Sequence, residues 1–161
     1  MTFLDSIIET YQFNRTRTDA TLERIEQLED PSATLAFRPG EGRAHVAWQF
    51  MHIGITEDIF ASERLAPSKR GIFTDLWSRY RGGSTPDDSL PGLTEIRAVL
   101  QQSRANLLET LGTFGEADLD TVPEAFSERG LTIRTVLHIL SWHESHHQGQ
   151  AHLTLNLLEN R

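Results

Sequence analysis

The chain contains no cysteine. That absence excludes a disulfide framework, a cysteine nucleophile and a thiolate metal site. Any transition-metal centre must therefore be assembled from His, Asp and Glu. No run of about 18 apolar residues occurs, so no transmembrane helix is expected. The opening Met1-Thr2-Phe3-Leu4-Asp5 lacks the basic start and apolar stretch of a secretory signal, and a cytoplasmic location is the expectation. Clustered basic charge is scarce as well. The formal net charge is −8, and the densest basic stretches, Lys69-Arg70 and Arg79-Tyr80-Arg81, are short and sit among acidic neighbours. Phosphate backbones are bound through clustered Lys and Arg, so nucleic acid is not an expected partner. Internal repeats and low-complexity tracts are also missing.

What remains is an ordinary globular balance, 38% hydrophobic and 24% charged. A length of 161 residues suits one domain with a single core, expected to span 1–161. Four stretches carry helical signals. The first runs from about Thr2 to Leu28, with Thr2 or Asp5 as cap and Leu4, Ile8, Tyr11, Leu22, Ile25 and Leu28 at helical spacing. Its middle, Asn14 to Ala20, is polar and weakens the stripe. After a turn-rich stretch from Asp30-Pro31 to Gly42, a second helix is expected from Arg43 to Leu65. It is apolar on more than one side and so deeply buried, and it ends near Pro67.

Residues 66–91 read as a long loop with one short helical turn near Phe73 to Tyr80; loops of this length are often functional. The third helix is expected from Thr94, as N-cap, to Thr113, with Gly112 and Gly115 marking its end. The fourth begins at Thr132 and runs nearly to the C-terminus. Pieces such as Leu35-Ala36-Phe37 are too short to argue for strands. The expected architecture is all-α, a four-helix bundle with long inter-helix loops.

The fourth helix carries the strongest signal. Written in sevens, Ile133, Leu140, His147, Thr154 and Val136, His143, Gln150, Leu157 form one expected inward seam, apolar at first and then interrupted by His, His and Gln. His143 and His147 are four apart and share a helix face, a spacing that lets two imidazoles reach one metal ion. Two neutral histidines in a core each need partners for their ring atoms, which makes a plain packing role harder to sustain. A third ligand is available at His52, in the stripe Trp48, His52, Ile55, Ile59 of the second helix; His45, seven residues earlier, sits near that helix's start and is the weaker candidate. Three imidazoles leave a coordination position open, as catalytic sites do. Zinc, nickel, ferrous iron and manganese are all compatible with the ligand set. His138 and His152 fall on the outward face, and His146 lies beside the seam as rim or supporting residue.

His143-Glu144-Ser145-His146-His147 also matches H-E-x-x-H, the zincin pattern in which Glu144 would be general base. The context disagrees. Only fourteen residues follow His147, and Gly149 and His152 miss the metzincin spacing by one residue each. A metal-dependent hydrolase is therefore a distant alternative.

Two segments resemble the DinB/YfiT-like superfamily of small metal-binding bundles. Trp142-His143-Glu144-Ser145-His146-His147-Gln148-Gly149-Gln150, preceded by the helix start Leu131-Thr132-Ile133-Arg134, is similar to the family's H-E-x-H-H-x-G-Q signature. Ala47 to Glu57 resembles its second-helix His followed by an acidic residue. The resemblance implies metal ligands at His52, His143 and His147, in agreement with the seam. It also implies a homodimer and, by likeness to characterised members, a transferase or isomerase using a low-molecular-weight thiol such as mycothiol or bacillithiol. The thiol and a small-molecule substrate would come from outside the chain, which fits a protein without cysteine.

The remaining candidates are supporting ones. Glu144 points about 100° away from the seam and is expected to support a ligand or lie at the surface. Glu57, five residues after His52, is too far along the helix to share the ion and is expected to orient a neighbour by hydrogen bonding. Gln150, one turn beyond the ligands, would hold a ligand or substrate, and Trp48, Trp77 and Trp142 would line the mouth or pack in the core. The rival reading is a non-catalytic bundle that binds a small molecule or protein around a structural or incidental metal.

Overall fold

A computed structural model describes residues 1–160. All regular structure among the described residues is helical.

Helix α1, Phe3–Glu26, opens on a capping box. The Thr2 hydroxyl accepts from Asp5 N at 3.1 Å, and the Asp5 carboxylate accepts from Thr2 N at 2.9 Å. Within the polar middle expected to weaken its stripe, Asn14 and Thr18 are turned inward and buried, while Thr16 and Arg17 are exposed. A short α2, Pro31–Ala36, occupies what the sequence suggested was only a turn. Asp30 caps it at Ala33 N and Pro31 takes the first helical position, the arrangement that suits a residue lacking an N–H.

Helix α3, Val46–Ile59, starts three residues later than the expected Arg43, with His45 as its cap. All fourteen of its residues are buried. It passes into a π-helical turn, Phe60–Arg64. Beyond this turn, residues 66–91 are less open than the sequence implied. A 3₁₀ turn, Thr74–Leu76, leads into the four-residue α4, Trp77–Tyr80. This segment is fastened by Asp58, a fully buried carboxylate. Asp58 accepts from Ile72 N, Phe73 N, the Trp77 indole and the Asn106 amide, all at 2.9–3.0 Å.

Helix α5, Leu93–Leu111, begins after Gly92 rather than at Thr94. Two 3₁₀ turns, Glu116–Asp118 and Glu124–Arg129, interrupt the next connection. Helix α6, Ile133–Glu159, starts within a residue of the expected Thr132, which serves as its cap.

Helix α3 packs on α5 and α6, and α1 packs on α6 and α5. Gly54 lets α3 lie close against α5 at Val99. A Cβ there would stand 2.7 Å from Val99 Cγ1 and 3.3 Å from the Val99 backbone.

The inward face of α6 differs from the heptad seam. Its buried residues are Ile133, Val136, Leu137, Leu140, Glu144, Ala151, Thr154 and Leu155, whereas Leu157 is exposed. A straight α-helix drifts about 20° per seven residues from a strict 3.5 repeat. At about 100° per residue, Ile133, Leu140, Glu144 and Ala151 share one line; His147 and His143 lie about 40° and 80° to its side. The histidines therefore occupy the flank of the buried stripe, not its centre.

Candidate metal centre

The flank position of His143 and His147 brings them to His52 on α3. One ring nitrogen from each of the three residues lies within 4.8 Å of the others. His143 Nε2 and His52 Nε2 are 3.0 Å apart, and His143 Nε2 lies 3.5 Å from the Thr56 hydroxyl.

Two of the rings are held by their other nitrogen. His52 Nδ1 donates to the Tyr80 carbonyl at 2.5 Å. A carbonyl can only accept, so Nδ1 carries the proton and Nε2 presents its lone pair to His143. Trp48 stacks on the same ring at 4.4 Å and 16°, and its indole donates to the Arg79 carbonyl at 3.3 Å. His147 Nδ1 donates to Gln49 Oε1 at 2.6 Å. These are the outer contacts that fix tautomer and ring direction in metal-binding histidines.

Burial is the main cause that lowers all three imidazole pKa values. With neighbouring imidazoles adding to it, His147 is pushed down to about 2 and His143 to about 3. His52 is lowered by burial, opposed by its bond to the Tyr80 carbonyl. The rings are therefore neutral near pH 7, as ligands must be.

Without an ion, the neutral His143 ring donates from Nε2 to the His52 Nε2 lone pair; with a cation between them, both nitrogens would turn lone pairs to it. Two nitrogens on one tetrahedral zinc at about 2.0–2.1 Å stand about 3.3 Å apart. The 3.0 Å His143–His52 spacing is close to that value. The donor set and its geometry thus fit a divalent cation. The three imidazoles line a cavity of about 330 Å³, which leaves room for a further ligand.

The other candidate residues fall elsewhere. Glu144 is neither at the surface nor beside a ligand ring; it is buried on the central line of the inward face of α6. Its Oε1 accepts from Arg15 Nε at 2.7 Å and the Thr18 hydroxyl at 2.9 Å, and its Oε2 from Arg104 Nη2 at 2.5 Å. Both oxygens are committed, so Glu144 cannot act as the zincin base. Glu57 bonds no imidazole either. It accepts from Arg15 Nη2 at 2.9 Å and from Arg104 through two donors. Burial alone would raise the Glu57 carboxyl, but the two guanidiniums outweigh it and hold the group below the ordinary range. Arg15, Arg104, Glu57 and Glu144 therefore form a closed, neutral cluster joining α1, α3, α5 and α6.

Gln150 bonds exposed His146 at 2.8 Å rather than a ligand, and His146 stacks on exposed Trp142. Gln150 instead lines a separate cavity of about 400 Å³, shared with Trp48 and Gln49. His45 caps α3 through Nδ1, and His138 and His152 are exposed. Trp77 serves Asp58, not the site.

Sequence reasoning missed Gln49, the Tyr80 carbonyl and the two arginines. Gln49 had a usable signal, since it lies three residues before His52 on the same helix. A backbone carbonyl 28 residues away had none.

An all-helical chain with three histidines able to hold a metal ion defines a class, and the class has a match. The sequence profile of the DinB superfamily covers residues 12–151, which include all three histidines. The chain belongs to the DinB superfamily. No curated protein and no solved structure matches it.

Proposed function

We propose that the protein is a metal-dependent enzyme whose ligands are His52, His143 and His147, and that it transfers a low-molecular-weight thiol to a small electrophile. The four long helices then form a four-helix bundle of the DinB/YfiT type, with the site between α3 and α6. The observation that carries this reading is the convergence of three neutral imidazoles on one cavity, two of them aimed by hydrogen bonds from their far nitrogens. Imidazole suits zinc, nickel and iron, and zinc or nickel is the first choice. A divalent cation held there would supply Lewis acidity, favouring the anionic form of an incoming thiol or water.

The protein's own contribution is positional. Tyr80 and Trp48 fix the His52 ring, and Gln49 fixes His147. Thr56 offers a hydroxyl beside His143 for a bound substrate or water. In the transfer, the thiol loses its proton to solvent, sulfur bonds to the electrophilic carbon, and the leaving group departs with its electron pair.

The test uses zinc- and nickel-loaded protein with bacillithiol, mycothiol or glutathione as donor and monochlorobimane as acceptor, read as bimane fluorescence. Turnover that disappears in folded His52→Ala supports the proposal. Absence of turnover with every thiol, in protein that holds one metal per chain, would move the reading to a non-catalytic binding module.

A further inference from the structure

The cavity faced by the three imidazoles is also lined by Ile59, Phe60, Arg64 and Arg81. None of its lining residues is acidic, although the chain as a whole carries a net charge of −8. Arg81 is exposed, and its guanidinium makes no hydrogen bond or ion pair among the described residues. Its neighbour Arg79, by contrast, is committed to both carboxylate oxygens of Asp87 at 2.8–2.9 Å. Arg64 meets only its own exposed chain neighbour Glu63, through Nε at 3.2 Å. The Arg81 guanidinium is thus free to serve whatever enters the cavity, and Arg64 keeps its two Nη groups beyond the Nε pairing with Glu63.

The charge balance points the same way. Three neutral imidazoles leave both charges of a divalent cation uncompensated, and Arg81 adds an unpaired positive charge to the same cavity, beside Arg64 in its exposed pairing with Glu63. An anion is the missing partner. A guanidinium presents its N–H groups in a planar fork that matches a carboxylate. The local backbone is also unusual. Phe60 and Arg64 bound the π-helical turn that ends α3, a departure from α geometry found mostly at functional sites. The turn contributes one apolar and one cationic side chain to the cavity wall.

We infer that the cavity binds a small carboxylate-bearing substrate, with Arg64 and Arg81 receiving its carboxylate, Ile59 and Phe60 its apolar body, and the reacting end lying toward the histidines. The inference rests on the metal-site reading for the orientation of the substrate, while the arginine subsite stands on its own. A cavity of about 330 Å³ is at the small end for ligand sites.

The experiment compares phenylacetate with its neutral counterpart phenylacetamide by ligand-observed NMR titration. Wild type and the Arg64→Gln/Arg81→Gln double variant are each studied zinc-loaded and after metal removal. The expected result is an acid-over-amide preference of about tenfold or more in the wild type, from charge-assisted hydrogen bonds. It falls to within about twofold to threefold in the metal-free double variant, and zinc content is unchanged by the two substitutions. A wild type that does not distinguish acid from amide, or a preference that survives in the metal-free double variant, overturns the inference. Failure of the wild type to hold zinc would strike the metal reading instead, and the metal-free arm would still decide the arginines.

Discussion

Glu57 of α3 and Glu144 of α6 meet on a single guanidinium, since Arg104 Nη2 donates to both carboxylates. Each glutamate is a near neighbour in sequence of a site histidine: Glu57 follows His52 by five residues and Glu144 follows His143 by one. The shared arginine therefore sets the register in which the two histidine-bearing helices face each other. Removing one partner of a buried ion cluster costs about 3–5 kcal/mol because an unpaired charge stays behind. Arg104→Met is expected to lose stability of that order in urea unfolding. Where the variant remains folded, its zinc affinity should fall although no ligand has been touched. Unchanged zinc affinity in folded Arg104→Met would separate the cluster from the site.

Acid should destabilise the metal-free protein early. His143 and His147 have folded pKa values of about 3 and about 2, below the ordinary histidine value of about 6.5. Between those values the unfolded chain binds more protons, so stability is full above about pH 6.5 and falls as pH drops toward the folded values. Discounted for the partial exposure of both rings, the loss by pH 4.5 is on the order of 2–4 kcal/mol relative to pH 7. Urea midpoints across that range check it. The double variant His143→Gln/His147→Gln should show a flatter profile.

Gly54→Ala sets helix propensity against packing. Alanine gains about 1 kcal/mol over glycine in a helix interior, but its Cβ would lie 2.7 Å from Val99 Cγ1 and close to immobile Val99 backbone. Overpacking of this kind costs about 1–3 kcal/mol. A net loss of stability is expected, partly recovered by adding Val99→Ala, which removes the nearest atom. A more stable Gly54→Ala protein would show that the α3–α5 approach is looser than described.

Asp58→Ala would strand two backbone N–H groups, an indole N–H and an amide. Buried donors left unpaired cost about 1–3 kcal/mol each. A total loss of at least about 3 kcal/mol is expected. Hydrogen exchange at Ile72 and Phe73 should accelerate more than exchange in α5. Because the same segment delivers the Tyr80 carbonyl to His52, metal affinity should drop alongside.

Much of the histidine geometry could be read directly from the chain. A spacing of four puts His143 and His147 on one helix face, and a buried stripe around His52 supplies a third imidazole from another helix. The glutamates were harder to place. A heptad template puts His143 on the buried line and turns Glu144 away from it, whereas the 3.6-residue helix buries Glu144 instead. Its partners Arg15 and Arg104 lie 129 and 40 residues away, and no local pattern pairs them. The same holds for Asp58, an acidic residue in an apolar helix whose four donors come from two distant segments. Helix α2 was legible in principle, as Asp30-Pro31 is a cap followed by a favoured first residue, but six residues give too little periodicity to assert a helix.

The most direct test of the central claim is metal content per chain, measured by plasma mass spectrometry on protein purified without an affinity tag. Wild type is compared with His52→Ala, His143→Ala and His147→Ala, each verified as helical by circular dichroism. The account predicts about one divalent metal ion per wild-type chain and near-complete loss in all three variants. A wild type that takes up no zinc, nickel, iron or manganese even on reconstitution, or variants that retain the ion, would contradict it.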